Sequence, residues 1–335
     1  MICLENEAVL VTGAGGFIGS HLVEALVERG AKVRAMVRYN SRNDWGHLDA
    51  LPEPILQAIE VIPGDIADPF FVRKAVSGCR VVFHLAALIG IPYSYIAPQQ
   101  YVQVNVQGTL NVLEACRSEQ VAKLVHTSTS ETYGTAQYAP IDEAHPLVGQ
   151  SPYSASKIAA DKMAESYHLS FGLPVATIRP FNTFGPRQSM RAVIPSIIHQ
   201  ALVSQKNGEP IRLGSLSPQR DFTFVSDTVQ GFIRMAECIE SAGETANVGS
   251  GQTQSIGDTL ALILDILGTP DLPIVTDEQR IRPEKSEVGL LLAENSKARR
   301  LLGWEPHVTF REGLARTIEA IAQTPVNAKT RLYHI

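Results

Sequence analysis

Short runs of branched apolar residues alternate with amphipathic stretches through the first half of the chain. The apolar runs predict strands at residues 8–12, 32–37, 59–63, 80–85, 123–127 and 175–179. The amphipathic stretches predict helices at residues 20–29, 69–76, 99–120 and 153–171. Strands that alternate with helices favour a parallel sheet covered on both faces. We therefore predict an α/β fold built on a doubly wound parallel sheet.

A glycine-rich turn joins the first predicted strand to the first predicted helix. It contains Gly13, Gly16 and Gly19, with Phe17 and Ile18 between the last two glycines. Glycines at this spacing let the backbone approach a pyrophosphate, whose charge is stabilised by amide N–H groups at the start of the helix. Because a second strand follows the helix, the turn predicts a Rossmann-like site for NAD or NADP rather than a surface loop.

The second half of the chain has a different pattern. Loops rich in Gly, Pro, Ser and Gln separate helices predicted at residues 194–205, 225–241, 256–267, 296–302 and 311–323. We predict a dinucleotide-binding domain of residues 1–180 with about 221–250. Residues 181–220 and 251–325 are predicted to form a smaller C-terminal α/β substrate lobe, and residues 326–335 a tail.

Arg38 stands at the end of the second predicted strand. At this place an NAD site commonly has an acidic residue that binds the ribose 2′-hydroxyl. An arginine can bind a 2′-phosphate instead, and it can also stack on adenine in a site for either cofactor. The sequence therefore favours NADP and leaves NAD open.

Composition is consistent with a full hydrophobic core and a small-molecule partner. The chain has 335 residues, of which 44% are hydrophobic, and its formal net charge is −5. That charge argues against a general nucleic-acid binder. The four cysteines lack the CxxC spacing of a zinc site, so we expect free thiols and no metal. No apolar run reaches the ~18 residues of a membrane span, and we expect a cytoplasmic location.

Tyr153 and Lys157 are four residues apart in a predicted helix, which places them on one face. An ammonium beside a phenol favours the phenolate, so Tyr153 can take a proton from a sugar hydroxyl near neutral pH. The alternative is a hydrogen-bonded phenol and a solvated lysine on an ordinary helix face. The glycine turn upstream favours the catalytic interpretation.

These motifs together resemble the extended short-chain dehydrogenase/reductase family of nucleotide-sugar epimerases and dehydratases, from about residue 7 to residue 320. Besides the glycine turn and the Tyr-Lys pair, the similar segments are residues 65–66, 84–87, 105–109 and 179–187. The resemblance implies that the cofactor site also includes Asp65, Ile66, Leu85, Ala86, Ala87 and Asn105. His84, by contrast, is expected to be a packed residue at the end of a strand.

Glu131 follows the strand predicted at residues 123–127, at the carboxyl edge of the sheet, where open α/β proteins bind ligands. Once a hydride has left C4 of a hexose, the C5 proton becomes acidic and a nearby carboxylate can remove it. Water then leaves from C6, the hydride returns there, and the product is a 4-keto-6-deoxy sugar. The sequence therefore predicts a 4,6-dehydratase. The alternative is that Glu131 is a helix cap or a surface residue.

The segment Thr129-Ser130-Glu131 differs from that of glucose-nucleotide 4,6-dehydratases, whose comparable segment is Thr-Asp-Glu. It is more similar to the segment of GDP-mannose 4,6-dehydratases. It is most similar to that of the N-acetylhexosamine dehydratases of legionaminic-acid pathways, and residues 38–45 also resemble those enzymes. The resemblance implies an NDP-hexose substrate, with NDP-N-acetylglucosamine expected. It also implies that Thr129 bonds the sugar hydroxyl that Tyr153 deprotonates. We predict that Glu131 is both the base at C5 and the acid at the C6 hydroxyl, through Ser130 or a water.

Binding of the nucleotide diphosphate is expected to involve cations in the second lobe. The resemblance implies that Arg220 and Arg282 bind the two phosphates, joined by Arg187, and that Asn182 binds a phosphate or sugar oxygen. A guanidinium can hold phosphate oxygens by paired hydrogen bonds. The alternative for Arg220 is a structural ion pair with a neighbouring aspartate.

The predicted helices at residues 99–120 and 153–171 carry apolar stripes. They resemble the pair through which relatives form a four-helix bundle between two subunits. The resemblance implies a homodimer that acts on a nucleotide diphosphate sugar, with neither nucleic acid nor membrane as a partner.

Three other functions stay open. A UDP-glucuronate decarboxylase uses the same C4 oxidation, but it usually carries an arginine-rich stretch before the catalytic tyrosine, and residues 145–152 contain none. A 4-epimerase inverts C4 without loss of water and needs no carboxylate at position 131. A regulatory dinucleotide-binding module would keep the fold without the chemistry, and the intact tyrosine, lysine and carboxylate argue against it.

Overall fold

A seven-stranded parallel sheet forms the centre of the structure, a computed structural model that describes residues 1–280 and 288–323. Its strands are β1 (Ala8–Thr12), β2 (Lys32–Arg38), β3 (Ile59–Gly64), β4 (Val81–His84), β5 (Lys123–Thr127), β6 (Val175–Pro180) and β11 (Thr245–Val248). They are arranged in the order β11-β6-β5-β4-β1-β2-β3. The predicted doubly wound α/β fold is confirmed.

Helices cover both faces of this sheet, and more helices form the second half of the chain. Their bounds are α1 (Phe17–Glu28), α2 (Glu53–Gln57), α3 (Pro69–Val76), α4 (Ile91–Ile96), α5 (Pro98–Tyr101), α6 (Gly108–Ser118), α7 (Pro152–Phe171), α8 (Val193–Asn207), α9 (Val225–Glu237), α10 (Ile256–Ile266), α11 (Ser296–Leu302) and α12 (Phe310–Gln323). Successive strand residues point to opposite faces, as in β4. Val81 and Phe83 pack on the α1 and α9 side, and Val82 packs on the side of α3, α6 and α7.

Short strands connect the helices of the second half. They are β7 (Asn182–Phe184), β8 (Ile211–Leu213), β9 (Gln219–Arg220), β10 (Phe222–Phe224), β12 (Gln254–Ser255), β13 (Ile274–Thr276) and β14 (Leu290–Leu291). One cluster of buried apolar side chains runs from α1 and α9 into this region, and includes Leu22, Phe232, Ile197, Leu260 and Leu314. The predicted division into two lobes stays a prediction, and the predicted tail lies outside the described residues.

Two predicted helices differ from the structure. The helix predicted at residues 99–120 is interrupted by a π-helical segment, Val102–Gln107, between α5 and α6. The wider turn accommodates Asn105, whose carbonyl oxygen accepts from the Thr109 hydroxyl at 2.6 Å. The helix predicted at residues 225–241 ends at Glu237, because Cys238 is extended and its carbonyl accepts from the buried Lys123 ammonium at 3.0 Å.

The helices give no sign of a membrane crossing. None of those within residues 1–280 and 288–323 combines the length and apolarity that a crossing needs. Over the same residues, no cluster of three or more His, Cys, Asp or Glu side chains has the geometry of a metal site. The four cysteines are free thiols.

Candidate active site

The site lies where four neighbouring strands end. Thr12 at the end of β1 pairs with His84 at the end of β4, and His84 pairs with His126 in β5. In the next pair, Thr127 of β5 lies beside Ile178 of β6. The segments that leave these strands therefore meet along one edge of the sheet, as the sequence predicted for the glycine turn and for Glu131.

The glycine turn is packed too tightly for side chains. Gly13 has a φ of +70°, and a Cβ on it would lie 2.9 Å from the Ala86 nitrogen. A Cβ on Gly19 would lie 2.2 Å from the Gly13 oxygen. Gly16 precedes α1 without a side-chain cap, so the amides of the first turn, which begins at Phe17 and Ile18, are available to an anion. This geometry fits a dinucleotide pyrophosphate.

The segment after β4 is anchored on both sides. The Thr12 hydroxyl accepts from the amides of Leu85 and Ala86, both at 3.1 Å. The half-buried Ala87 follows them. The Asn105 side chain accepts from the amide of Leu88 at 2.8 Å and donates to the carbonyl of Leu88 at 2.9 Å. This predicted part of the cofactor site therefore borders the glycine turn.

The predicted adenine side lies at the ends of β2 and β3. Arg38 pairs in register with Gly64, so it lies beside the start of the Asp65-Ile66 segment. Asp65 accepts from the Ala67 amide at 2.9 Å, and Ile66 is buried against α6. Arg38 is exposed, and within residues 1–280 and 288–323 no carboxylate forms an ion pair with its guanidinium.

Helix α7 brings Tyr153 and Lys157 to the edge of the sheet. It begins with a capping box, in which Ser151 and Ser154 each accept from the other's amide, at 3.0 and 3.1 Å. Tyr153 is buried, with its ring edge-on to that of Tyr101 at 6.3 Å. The buried Lys157 ammonium donates to the Thr127 carbonyl at 2.6 Å. Both predicted residues therefore lie beside the end of β5.

Burial shifts the pKa values of both members of this pair. It raises the pKa of Tyr153 well above the ordinary value for a phenol, and the charge of Glu131 raises it further, while the nearby Thr129 hydroxyl acts in the opposite direction. Burial also lowers the pKa of Lys157 to about 8, against the influence of Asp161. Burial of the phenol therefore opposes the predicted lowering of the Tyr153 pKa by the ammonium, and the predicted lowering stays a prediction.

Glu131 lies in a short 3-10 turn, Ser130–Tyr133, directly after β5. The turn is capped by Thr129, whose hydroxyl accepts from the Glu131 amide at 3.3 Å, so Glu131 itself is not the cap. Its side chain is half-buried, and in the described part of the chain no donor is hydrogen-bonded to the carboxylate. The turn that carries this carboxylate packs against α7, the helix of Tyr153, and the charge of Glu131 raises the pKa of that phenol. The adjacent Ser130 is buried.

A buried polar cluster behind these residues was missed by the sequence analysis. Asp161, one helical turn after Lys157, accepts from the His126 ring at 3.0 Å and from Arg179 at 2.9 Å. Its spacing from Lys157 is the one signal in the sequence that could have revealed it. His84 is packed as predicted, with its ring nitrogens bonded to the hydroxyls of Thr12 and Thr109 at 2.9 and 3.0 Å.

The predicted substrate residues lie around β7 and β9. Asn182 has a buried side-chain oxygen with no hydrogen-bond partner among the described residues, which suits a polar ligand. Arg220 is buried and donates to the Gln219 carbonyl at 3.0 Å. The Asp221 carboxylate accepts from Ser250 and from two further backbone amides, and both the phosphate role of Arg220 and its structural alternative stay predictions.

The sequence predicted Arg187 beside the substrate phosphates, but in the structure its guanidinium contacts side chains of α1. It has a left-handed backbone, with φ of 67°, and its guanidinium bonds Glu24 at 2.6 Å and His21, both on α1. Its guanidinium is therefore tied to the helix that follows the glycine turn. Its role toward phosphate stays a prediction, and Arg282 lies outside the described residues.

Comparison with known proteins identifies the family. The family model for GDP-mannose 4,6 dehydratase matches residues 10–317. The chain belongs to the extended short-chain dehydrogenase/reductase family. Its relatives include the UDP-glucose 4-epimerase of Mycolicibacterium smegmatis, 34% identical over 92% of this chain and 97% of the relative. They also include a dTDP-glucose 4,6-dehydratase of Xanthomonas campestris pv. campestris, 32% identical over 92% of each chain.

A solved structure gives the same result for the fold. The UDP-glucuronic acid 4-epimerase of Bacillus cereus, in complex with UDP-glucuronic acid and NAD, is similar with a TM-score of 0.83 and 29% identity. The similarity covers 94% of this chain and 99% of that one. This extended short-chain dehydrogenase/reductase is thus an enzyme of the nucleotide-sugar epimerase and dehydratase group. Both reactions occur among its relatives, so the choice between them depends on the site.

Proposed function

We propose that this enzyme is an NDP-hexose 4,6-dehydratase whose substrate is NDP-N-acetylglucosamine. The observation that supports this choice is the half-buried carboxylate of Glu131, which accepts no hydrogen bond from the residues that the structure describes and whose turn packs against the helix of Tyr153. A 4-epimerase has no step that requires a carboxylate here. The product is the NDP-4-keto-6-deoxy sugar, formed with release of one water.

The first half of the reaction uses Tyr153, Thr129 and Lys157. A nicotinamide dinucleotide held at the glycine turn supplies the acceptor for the C4 hydride and later the donor to C6. Tyr153 takes the proton of the C4 hydroxyl, and Thr129, the group that favours the ionised phenol, bonds the same oxygen. Lys157, bonded to the Thr127 carbonyl, holds the ammonium at the end of β5.

The second half of the reaction uses Glu131. With a ketone at C4, the carboxylate removes the C5 proton, and the electron pair left at C5 forms the C5–C6 double bond as the C6–O bond breaks. Glu131 returns the proton to the departing hydroxyl, directly or through Ser130, and water leaves. The hydride taken from C4 is then returned at C6, a proton from solvent is added at C5, and Tyr153 releases to solvent the proton that it took from the C4 hydroxyl. Atoms and electrons therefore balance, and no external oxidant is needed.

We assign the nucleotide diphosphate to the second lobe. Arg220 and Arg282 bind the phosphates, and Asn182 binds a phosphate or sugar oxygen. The buried Asn182 Oδ1, which has no partner among the described residues, supports a sugar hydroxyl in that role, because an amide oxygen accepts a hydrogen bond. Arg187 connects this region to α1 through Glu24.

One experiment separates the dehydratase from the epimerase and decarboxylase alternatives. The purified protein is incubated with UDP- and GDP-linked glucose, mannose and N-acetylglucosamine, and the products are weighed. Loss of one water from an N-acetylglucosamine nucleotide supports the proposal. An isomeric product of unchanged mass would select the 4-epimerase, which the similarity to the M. smegmatis enzyme also supports.

We also propose that Arg38 gives the enzyme a preference for NADP over NAD, although the B. cereus neighbour holds NAD. Arg38 is exposed beside the Asp65 segment without an ion-pair partner in the described residues, so it is available to a 2′-phosphate. Arg38→Asp is expected to weaken NADP binding about tenfold or more relative to NAD. Calorimetric titration with each cofactor measures the ratio of the two dissociation constants. A ratio unchanged from the wild type would show that Arg38 does not bind the 2′-phosphate.

A homodimer through a four-helix bundle of α6 and α7 is the oligomer that we propose. The two helices are joined by a hydrogen bond from Tyr167 to Glu114, and the last turn of α7 exposes Leu169 and Phe171. Leu169→Glu is expected to shift the protein toward monomer, because it places a charge in the interface. Light scattering checks this result. A wild-type monomer would contradict the proposal.

A further inference from the structure

The buried cluster behind the active site is built around one ion pair. Arg179 of β6 donates to Asp161 of α7 at 2.9 Å, and both side chains are about 95% buried. The same Asp161 oxygen accepts from the Ser128 hydroxyl at 2.6 Å, and the other accepts from the His126 ring. Arg179 also donates to the Tyr133 hydroxyl at 3.0 Å. We call these five residues the Asp161 cluster.

The Asp161 cluster is bonded to both flanks of the catalytic segment, Thr129-Ser130-Glu131. Ser128 immediately precedes Thr129, and Tyr133 follows Glu131 by two residues. The Tyr133 hydroxyl also donates to the Asn247 side chain at 2.7 Å, so it is fixed between β6 and β11. Both flanks of the segment are therefore bonded to the same ion pair.

The Glu131 side chain is not itself fixed by a hydrogen bond within the described residues, although its turn is closed by a bond from the Thr132 hydroxyl to the Thr129 carbonyl at 2.7 Å. It lies in a four-residue 3-10 turn and is half-exposed, and no hydrogen bond to its carboxylate is made by the residues that the structure describes. On its far side, the ion pair borders a cavity of about 420 Å³, whose lining includes Glu143 and His168.

We infer that Asp161, Arg179 and Tyr133 are positioning residues that set the reach of Glu131 to C5 of the sugar. This inference rests on the proposed function. A buried ion pair is a poor source of stability, because desolvation offsets its attraction, and its hydrogen bonds are better suited to fixing a geometry. Since Asp161 lies one turn after Lys157 on the same helix, the cluster also fixes Glu131 relative to the Tyr153 helix.

Tyr133→Phe is the variant that tests this inference. It removes the hydroxyl that joins Arg179 to Asn247, and the ring can keep its contacts with His145 and Phe181, at centroid distances of 5.4 and 6.4 Å. A displacement of the turn by about 1 Å is expected to lower the rate of water release about 10- to 100-fold. Formation of reduced nicotinamide on mixing with substrate is expected to change by about twofold or less.

Tyr138→Phe is the matched control. Tyr138 lies five residues after Tyr133, and its ring also contacts His145, at 4.8 Å, but its exposed hydroxyl donates to Asp142 and not to the cluster. This variant is expected to keep the wild-type ratio of water release to nicotinamide reduction. Ser128→Ala removes the hydrogen bond from the Ser128 hydroxyl to Asp161. Like Tyr133→Phe, it is expected to lower the ratio of water release to nicotinamide reduction.

The two rates and a kinetic isotope effect distinguish positioning from a general structural role. The substrate is UDP- or GDP-N-acetylglucosamine, whichever the wild type converts, with and without deuterium at C5. Positioning predicts that the C5 isotope effect on water release increases in Tyr133→Phe and Ser128→Ala. Equal loss of both rates, in parallel with a lower melting temperature, overturns the inference. A wild type that never releases water overturns the proposed function as well, whereas unchanged ratios in both variants overturn this inference alone.

Discussion

Replacing Glu131 by Gln is expected to stop water release while C4 oxidation continues. The amide keeps the size of the side chain but cannot accept the C5 proton, and loss of a general base costs about 10²- to 10⁴-fold in rate. Because the Tyr153 phenol is untouched, the hydride still leaves C4. The oxidised sugar then has no productive path forward. Reduced nicotinamide is therefore expected to appear in a single turnover without the dehydrated product, measured by absorbance and by mass.

Glu165→Gln provides the control for that variant. Glu165 is on α7, where its carboxylate pairs with Lys162 at 2.6 Å in solvent, so the same chemical change is made away from the edge of the sheet. It is expected to leave both rates near those of the wild type. Normal dehydration by Glu131→Gln would show that another group removes the C5 proton.

Tyr153→Phe is expected to remove both halves of the reaction. The ring can keep its edge-on contact with Tyr101, but no group remains to accept the proton of the C4 hydroxyl. The rate of nicotinamide reduction is expected to fall by about 10²- to 10⁴-fold, and dehydration to fall with it, since elimination needs the C4 ketone. The distinction from Glu131→Gln is that no reduced nicotinamide accumulates.

Lys157→Met and Tyr138→Phe complete this second test. Lys157→Met removes the ammonium bonded to the Thr127 carbonyl and is expected to lower nicotinamide reduction as well. Tyr138→Phe removes a phenol that bonds Asp142 and is expected to have no effect. Turnover by Tyr153→Phe within about tenfold of the wild type would assign proton removal at O4 to another residue.

The elements with strong local signals could be predicted from the sequence almost to the residue. Strand β1 has its predicted bounds, Ala8–Thr12, because a short run of mostly branched apolar residues is typical of a strand buried in a parallel sheet. Helix α3 begins at Pro69 as predicted, since Asp68 caps it and proline suits its first position. The glycine turn and Glu131 lie at the predicted edge because parallel strands all end there.

The features that the sequence did not reveal depend on contacts between distant parts of the chain. The Asp161 cluster joins α7, β5, β6 and the turn after β5, and each of its residues is unremarkable in its own local pattern. The π-helical segment at Val102–Gln107 likewise contains Asn105, whose side chain is hydrogen-bonded to Leu88 in the segment after β4. The pKa of Tyr153 is raised by burial of the phenol, and the spacing of residues along a helix does not predict how much protein packs around a side chain.

Following the C4 hydrogen of the substrate tests the central claim most directly. The wild-type enzyme is incubated with UDP- or GDP-N-acetylglucosamine that carries deuterium at C4, and the position of the label in the product is determined by NMR. A dehydratase that uses Glu131 as its base is expected to place the deuterium in the C6 methyl group of a product that has lost water. Deuterium retained at C4 of a product that still has its C6 hydroxyl would contradict the account and identify an epimerase.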